Sequence, residues 1–182
     1  FGDTARVPYG RKSTDTLIRY TRQIIRFLKT RGVKAIVVAC NTASAVALEA
    51  VRDELDIPII GVVRPGARVA AAATKNKKIG IIGTETTVNS GMYVKLIQEL
   101  EPEGPVCTIS WEYHNRLEDI PSEIIYKELE KLQECDGVIY SVGELGILFE
   151  RIAREQKMKH KAAMIDDFPG AESLGILTLE QD

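Results

Sequence analysis

Apolar and polar positions along the chain follow two alternating patterns. Short β-branched runs predict buried strands at 33–39, 58–62, 78–82, 106–111, 137–141 and 162–165. Between them, apolar residues spaced three and four positions apart predict helices at 14–31, 43–55, 65–74, 85–100, 121–134 and 144–156. Ser13 and Thr84 are suitable N-caps for the first and fourth of these helices.

Strands that alternate with helices at this spacing form right-handed βαβ units in a largely parallel sheet, so the predicted fold class is α/β. A polar break at 74–78 predicts two small lobes with a cleft between them, where a small ligand can bind. We expect a first lobe at 1–75, which 160–182 can complete, and a second lobe at 76–159. One rearranged flavodoxin-like sandwich is the alternative.

Composition narrows the class of protein. The chain has 182 residues, of which 45% are hydrophobic and 27% charged, as is typical of a soluble globular protein. A net charge of −2 argues against nucleic acid as a partner, and no apolar run has the length of a membrane span or the form of a signal peptide. Three cysteines without zinc-site spacing indicate free thiols in the cytoplasm. Because the sequence starts at Phe1, we expect the natural N-terminus to lie upstream.

The segment 37–44, VVACNTAS, places a thiol at a position suited to chemistry. Cys40 lies where a predicted strand ends and a helix begins, with Asn41 or Thr42 as the expected N-cap. Unpaired backbone N–H groups and the positive end of the helix dipole favour the thiolate over the thiol and can hold an anion beside it. A buried structural cysteine at the strand end is the alternative interpretation.

Several ordered motifs closely resemble glutamate racemases, which belong to the aspartate/glutamate racemase superfamily. They are FGDTARVPYG at 1–10, VVACNTAS at 37–44, IGVVRPGA at 60–67 and KIGIIGTETT at 78–87. The resemblance is close from Phe1 to about Leu100 and weak beyond it.

The resemblance implies α-proton abstraction without a cofactor, with Cys40 as one base and glutamate or another small carboxylate as ligand. It implies a cytoplasmic role in peptidoglycan biosynthesis, with no nucleic-acid or membrane partner. It also implies that Asn41 and Thr42 bind the amino and carboxylate groups of the substrate. The expected substrate loop and second anion site comprise Pro8, Tyr9, Gly10, Thr84 and Thr87, although helix capping is an alternative for the two threonines.

The second half of the chain departs from the family pattern. The family's opening strand and Asp-Ser-Gly loop do not occur in this sequence. In segment 136–148, Val142, Gly143 and Glu144 stand where the family has its second cysteine, a threonine and a histidine. Glu144 is either a replacement acid/base or a favourable charge at a helix start. Arg64 replaces a usual acidic residue, and full two-base racemisation is not expected.

The remaining candidate side chains have ordinary interpretations. We expect Cys107 and Cys135 to pack in the core, His160 to lie in a solvated loop, and His114 to have no functional partner. Three functions stay open: a glutamate racemase-family enzyme, a one-thiol decarboxylase or isomerase of the same superfamily, and an inactive module that keeps the fold. Without the family's first strand a sheet edge and an apolar face are exposed, which predicts a homodimer or a rearranged sheet.

Overall fold

The first part of the chain forms a two-stranded parallel sheet covered by helices. A computed structural model describes residues 1–111, 120–143, 145–164 and 177–178. Helix α1, Thr14–Lys29, starts at Ser13, whose Oγ accepts a hydrogen bond from the Thr16 amide at 3.3 Å. Strands β1, Ile36–Val38, and β2, Ile59–Gly61, pair in parallel and are shorter than predicted. No further strand pairs with β1 or β2 among these residues, as expected for exposed edges.

The helix predicted at 43–55 is divided in two. Helix α2, Asn41–Val46, is separated from α3, Leu48–Arg52, by Ala47, whose φ of −107° breaks the regular turn. Helix α4, Val63–Ala73, starts two residues before Pro65, which therefore lies in the first turn, where a missing N–H costs nothing. These short helices place the residues that follow β1 and β2 at one end of the sheet.

The second part forms a five-stranded sheet. Its strands are β3, Ile79–Gly83, β4, Val106–Ser110, β5, Gly137–Ser141, β6, Lys161–Met164, and β7, Leu177–Thr178, in the order β4-β3-β5-β6-β7. Every pairing is parallel, so the α/β class with parallel sheets is confirmed. From β3 the chain passes first to one side and then to the other. The carboxyl ends of β3 and β5 therefore form a topological switch point, where α/β proteins usually bind ligands.

The sheet to which strands β6 and β7 belong differs from the one that the expected domain organisation assigned to them. Both belong to the five-stranded sheet, so within 160–182 the described strands extend this sheet and do not complete the first one. Strand β7 also lies in a segment to which the sequence pattern assigned no element. The lobe boundary at 75 stays a prediction.

Helices cover both faces of the larger sheet. The helix predicted at 85–100 is divided into α5, Glu85–Asn89, and α6, Met92–Leu100, by Gly91, whose φ of +65° suits a glycine. Helices α7, Ser122–Glu130, and α8, Leu145–Glu155, bury Ile125, Leu129 and Phe149 on one face of the sheet. On the other face, Ala67 and Ala70 of α4 pack with Ile81 and Ile139. Helix α4 therefore joins the first part of the chain to the core of the second.

Candidate functional site

Loops that follow four parallel strands converge on one small cavity. Its volume is about 220 Å³. Because the carboxyl ends of parallel strands carry the unpaired groups of the following loops and helices, this is the expected position for a site. The lining residues follow β1 and begin α2, follow β3 and β4, and lie at the end of β5 and the start of the helix Leu145–Glu155: Ala39, Cys40, Asn41, Thr42, Thr84, Trp111, Ser141, Val142, Gly143 and Leu145.

Cys40 is exposed at this cavity, which contradicts the interpretation as a buried structural cysteine. Cys40 itself occupies the N-cap position of α2, with a φ of −77° and a ψ of 121°, so the prediction of Asn41 or Thr42 as N-cap is wrong. Its carbonyl accepts from the Ser44 amide at 2.9 Å and thereby begins the helix. Since α2 has only six residues, the helix dipole behind the thiol is shorter than the sequence pattern predicted.

Three threonine hydroxyls form a closed triangle beside Cys40. Thr42 Oγ1 lies 3.1 Å from Thr84 Oγ1 and 3.0 Å from Thr87 Oγ1, and the last two atoms are 3.0 Å apart. Thr42 and Thr84 line the cavity, whereas Thr87 is buried behind them. Thr84 occupies the N-cap position of α5, as predicted, but its side chain makes no capping hydrogen bond, and its hydroxyl contacts the other two threonines instead. The triangle fastens α2 of the first part to α5 of the second.

Asn41 is positioned by Tyr93 of α6. The Tyr93 hydroxyl donates to Asn41 Oδ1 at 2.7 Å, and Tyr93 is itself buried. Because the side-chain oxygen of Asn41 accepts this hydrogen bond, its NH₂ group is the donor that remains for a ligand. The orientation of Asn41 therefore depends on a contact between α2 and α6.

The loop Pro8–Gly10 does not line the cavity but packs against Thr84, which does. Gly10 packs against Thr84 so closely that a Cβ at this position would lie 2.7 Å from Thr84 Cβ, and its carbonyl accepts from the Thr86 amide at 3.0 Å. The Tyr9 hydroxyl donates to the Asp3 carboxylate, which also pairs with Arg6. Burial and this carboxylate raise the pKa of Tyr9, so the phenol stays protonated. Sequence reasoning missed Asp3 and Arg6 as supports of this loop.

Another wall of the cavity is built from residues at the ends of β4 and β5. Val142 lines it where the family resemblance places a second thiol, so no sulfur faces Cys40 from this position. Glu144 and His114 lie outside the described residues, and the expectation for Glu144 stays a prediction. Ser141 and Trp111, which also line this wall, were missed by sequence reasoning. The position of Ser141 at the end of a predicted buried strand is the feature of the sequence that could have indicated it as a site residue.

Three other sequence expectations concern residues away from the cavity. His160 does not lie in solvent, because its side chain is 2% exposed and its Nε2 lies 2.7 Å from Glu150 Oε2. Cys135 is buried, as predicted, but Cys107 is exposed, so a packing role for Cys107 is wrong. Arg64 lies exposed on α4, with its guanidinium 3.6 Å from Glu99. None of these side chains reaches the cavity beside Cys40.

A larger cavity of about 440 Å³ lies between β2, α4 and α6 and contains no thiol. We therefore assign the candidate site to the smaller cavity, where Cys40, hydroxyl groups and an amide meet. Among residues 1–111, 120–143, 145–164 and 177–178, no group of three or more His, Cys, Asp or Glu side chains could hold a metal ion. Within the same ranges, no helix combines the length and apolar character that a membrane span requires.

Parallel sheets in two parts, with an exposed thiol in a cavity at the strand ends, define an α/β protein with a candidate ligand site at those strand ends. The chain belongs to the Asp/Glu/Hydantoin racemase family, whose sequence model matches residues 3–157. It is 56% identical over 108 residues to the glutamate racemase of Geobacter metallireducens, covering 59% of this chain and 40% of that protein. With the glutamate racemase of Picosynechococcus it shares 41% identity over 149 residues, covering 77% and 53%. The chain thus spans about half or less of these relatives.

Solved structures agree with the family. Glutamate racemase from Aquifex pyrophilus superposes with a TM-score of 0.76 at 30% identity, over 96% of this chain and 82% of the other. Glutamate racemase from Francisella tularensis, solved in complex with D-glutamate, gives a TM-score of 0.71 at 25% identity, over 96% and 80%. The two racemase-like lobes are therefore a property of the fold of this chain.

Proposed function

We propose that this chain binds a small amino-acid carboxylate such as glutamate and that Cys40 removes its α-proton without a cofactor. The observation that carries the proposal is the exposed Cys40 thiol in the cavity at the carboxyl ends of the strands, beside Asn41, Thr42 and Thr84. In the thiolate form, the sulfur takes the α-hydrogen as a proton and leaves its electron pair on the substrate carbon. The same proton, or one exchanged with water, then returns.

The wall that Val142 lines decides what this chemistry yields. Inversion at carbon needs a second acid/base group on the far face, and Val142 at the position expected for it carries none. Cys40 therefore removes and returns the proton on one face, which gives hydrogen exchange with retention of configuration. Glu144 is the proposed exception: a carboxylate there that reached the far face would restore inversion.

The ligand class follows from the size and polarity of the cavity. Its volume of about 220 Å³ lies below the range of about 300–1,000 Å³ that is typical of drug-sized ligands, which favours a molecule of amino-acid size. Asn41 and Thr42 are proposed to bind its amino and carboxylate groups. The D-glutamate complex of the Francisella tularensis relative supports glutamate as the first ligand to test.

Hydrogen exchange in heavy water tests the proposal. The chain is incubated separately with D- and L-glutamate, and the α-proton NMR signal and the optical rotation are followed. We expect loss of the signal for one enantiomer while the rotation holds. Cys40→Ser should slow the exchange by about 100-fold or more, because a general base contributes about 10²–10⁴ in rate.

The matched control is Cys107→Ser, which removes an exposed thiol near the amino end of β4, away from the cavity. Exchange by this variant should equal that of the unaltered chain. Equal rates for the unaltered chain and Cys40→Ser would refute the thiol mechanism. Decay of the optical rotation would show a second base, and Glu144→Gln would then identify it.

Val142 favours a second candidate, a carboxylate-binding module without turnover. In this case the chain would bind glutamate with no α-proton exchange at all. Release of carbon dioxide during the same incubation would instead indicate the one-thiol decarboxylase.

We further propose that the chain acts in the cytoplasm, in peptidoglycan biosynthesis. We also propose that it consists of two lobes with a boundary near residue 75. Two copies are proposed to associate through the uncovered sheet of the first lobe. Val37 and Ile60, which lie opposite each other on β1 and β2, support this association because they are 60% and 61% exposed.

A further inference from the structure

Two thiols lie together at the amino ends of the strands of the larger sheet, away from the cavity that Cys40 lines. Cys107 is the second residue of β4 and is exposed, whereas Cys135 lies two residues before β5 and is 2% exposed. The two side chains are hydrogen-bond partners of each other. Neither thiol takes part in the proposed function.

The register of the sheet accounts for this contact. Cys107 pairs with Gly80 of β3, and because side chains alternate along a strand, Cys107 lies on the same face as Ile109. Ile109 packs in the core cluster that also contains Leu132 and Cys135. Gly80 has no side chain, and Leu132 packs on it so closely that a Cβ there would lie 3.0 Å from Leu132 Cδ1 and Cδ2. The two thiols therefore meet beside Leu132, over a position of β3 that carries no side chain.

A lysine supplies positive charge beside both sulfurs. The Lys78 ammonium interacts electrostatically with Cys107 and Cys135, and its Nζ also lies 2.5 Å from a carboxylate oxygen of exposed Glu134. A thiol reacts as the thiolate, which a neighbouring cation stabilises. Burial and the adjacent Cys107 thiol raise the pKa of Cys135 to about 12, so Cys135 keeps its proton. The exposed Cys107 is therefore the thiol that reacts first.

We propose that Cys107 and Cys135 form a redox-active pair that reacts with small disulfides, with Cys107 as the attacking thiol and Cys135 as the resolving thiol. The Cys107 thiolate attacks one sulfur of the small disulfide, whose S–S bond breaks and releases one small thiolate. In the resulting mixed disulfide Cys107 no longer carries a charge, which eases ionisation of Cys135. Cys135 loses its proton to water and attacks the Cys107 sulfur, so the Cys107–Cys135 bond forms and the second small thiolate leaves. The pair loses two electrons, which the small disulfide takes up as it becomes two thiols.

Dithiodipyridine, a small disulfide whose thiol product absorbs light, measures both steps. The full chain with Cys40→Ser, which retains only the pair as thiols, is treated under native conditions. Absorbance gives the thiol released, and mass spectrometry gives the adduct retained by the chain. We expect two thiols released per chain and no retained adduct, because the second cysteine displaces the first adduct. Peptide mapping without reductant should then give a Cys107–Cys135 disulfide.

Further variants in the Cys40→Ser background separate the two steps. Cys135→Ala should release one thiol and keep the adduct on Cys107, because no second thiol displaces it. Cys107→Ala should react about tenfold or more slowly, since the remaining thiol is buried and protonated. Lys78→Gln should slow the first release, because the thiolate loses its neighbouring cation. Lys77→Gln, which removes an ammonium that pairs with a carboxylate instead, is the matched control and should react at the unaltered rate.

The outcomes decide between a pair and two separate thiols. One thiol released with the adduct retained, in the chain that keeps both Cys107 and Cys135, would overturn the proposal. So would a disulfide that forms in urea but not under native conditions, because the fold would then keep the sulfurs apart. Equal rates with and without Cys107 would overturn the assigned order of attack. Circular dichroism before treatment checks that each variant is folded, and the chain that keeps both thiols decides the central question if Cys135→Ala is not.

Discussion

Glu150 is a buried carboxylate that three side chains hold in place. It is 1% exposed on α8. Oε2 accepts from the Tyr140 hydroxyl at 3.0 Å and from His160 Nε2 at 2.7 Å, and Oε1 accepts from Arg154 Nε at 2.9 Å. Because a carboxylate only accepts, the contact with His160 is a hydrogen bond when His160 Nε2 carries a proton. Burial and the Glu150 charge raise the pKa of Tyr140, which therefore remains a donor.

We expect Glu150→Gln to destabilise the chain by about 2 kcal/mol, because it replaces hydrogen bonds to a charged group with weaker ones and leaves a buried donor without an acceptor. Urea unfolding followed by circular dichroism measures the change. Glu155→Gln, at the exposed end of the same helix, is the control and should lie within about 0.5 kcal/mol of the unaltered chain. Equal stability of the two variants would contradict a structural role for this network.

At the scale of elements, one carboxylate fastens the segment between α4 and β3 to the start of β5. Asp136 accepts hydrogen bonds from the Thr74 hydroxyl and from the amides of Lys75 and Asn76, the last two at 2.8 and 3.0 Å. Burial opposes ionisation of Asp136, but these hydrogen bonds outweigh it and lower the pKa of its carboxyl group. The segment at 74–76 is therefore held by a charged group.

A lowered folded-state pKa means that Asp136 stabilises the fold above its unfolded pKa and loses this effect as pH falls through the folded value. We expect Asp136→Asn to cost about 1–2 kcal/mol at pH 7. The difference from the unaltered chain should shrink below about pH 4, where the unfolded carboxyl group takes up its proton. Unfolding free energies measured between pH 3 and 7 test this, and a difference independent of pH would refute it.

At the scale of the whole molecule, the two sheets are unequally covered. Helix α4 buries Ala67 and Ala70 against the larger sheet, whereas the smaller sheet exposes Val37 and Ile60 and has no strand paired to either edge in the described ranges. Exposed apolar residues beside open strand edges favour association. This asymmetry is the physical basis for the proposed homodimer.

We expect the chain to sediment as a dimer and Val37→Thr/Ile60→Thr to shift it towards monomer, because both β-branched replacements keep strand geometry while removing apolar surface. Analytical ultracentrifugation over a range of concentrations measures the shift. Phe1→Ser, which removes another exposed apolar side chain away from this sheet, is the control and should leave the association unchanged. A chain that is monomeric throughout would refute the association.

Local patterns determined most of the secondary structure. Period-two and period-3.6 repeats depend on neighbouring residues alone, so strand β5 was predicted at its observed bounds and α1 with its Ser13 cap. The divisions at Ala47 and Gly91 were missed, because an apolar face continues across each break. The position of Cys40 between a strand and a helix followed from the same local reasoning, and so did the α/β class.

The sequence by itself determined most of the elements, the parallel α/β class and the thiol position, since these depend on short-range periodicity and on a contiguous motif. Only the tertiary structure decided which strand ends meet. It joined Thr42 to Thr84 and Thr87, buried His160 beside Glu150, exposed Cys107, and brought Ser141 and Trp111 to the cavity that Cys40 lines. These contacts join residues that are far apart in the chain, and their geometry depends on strand order and helix packing, which no local pattern specifies.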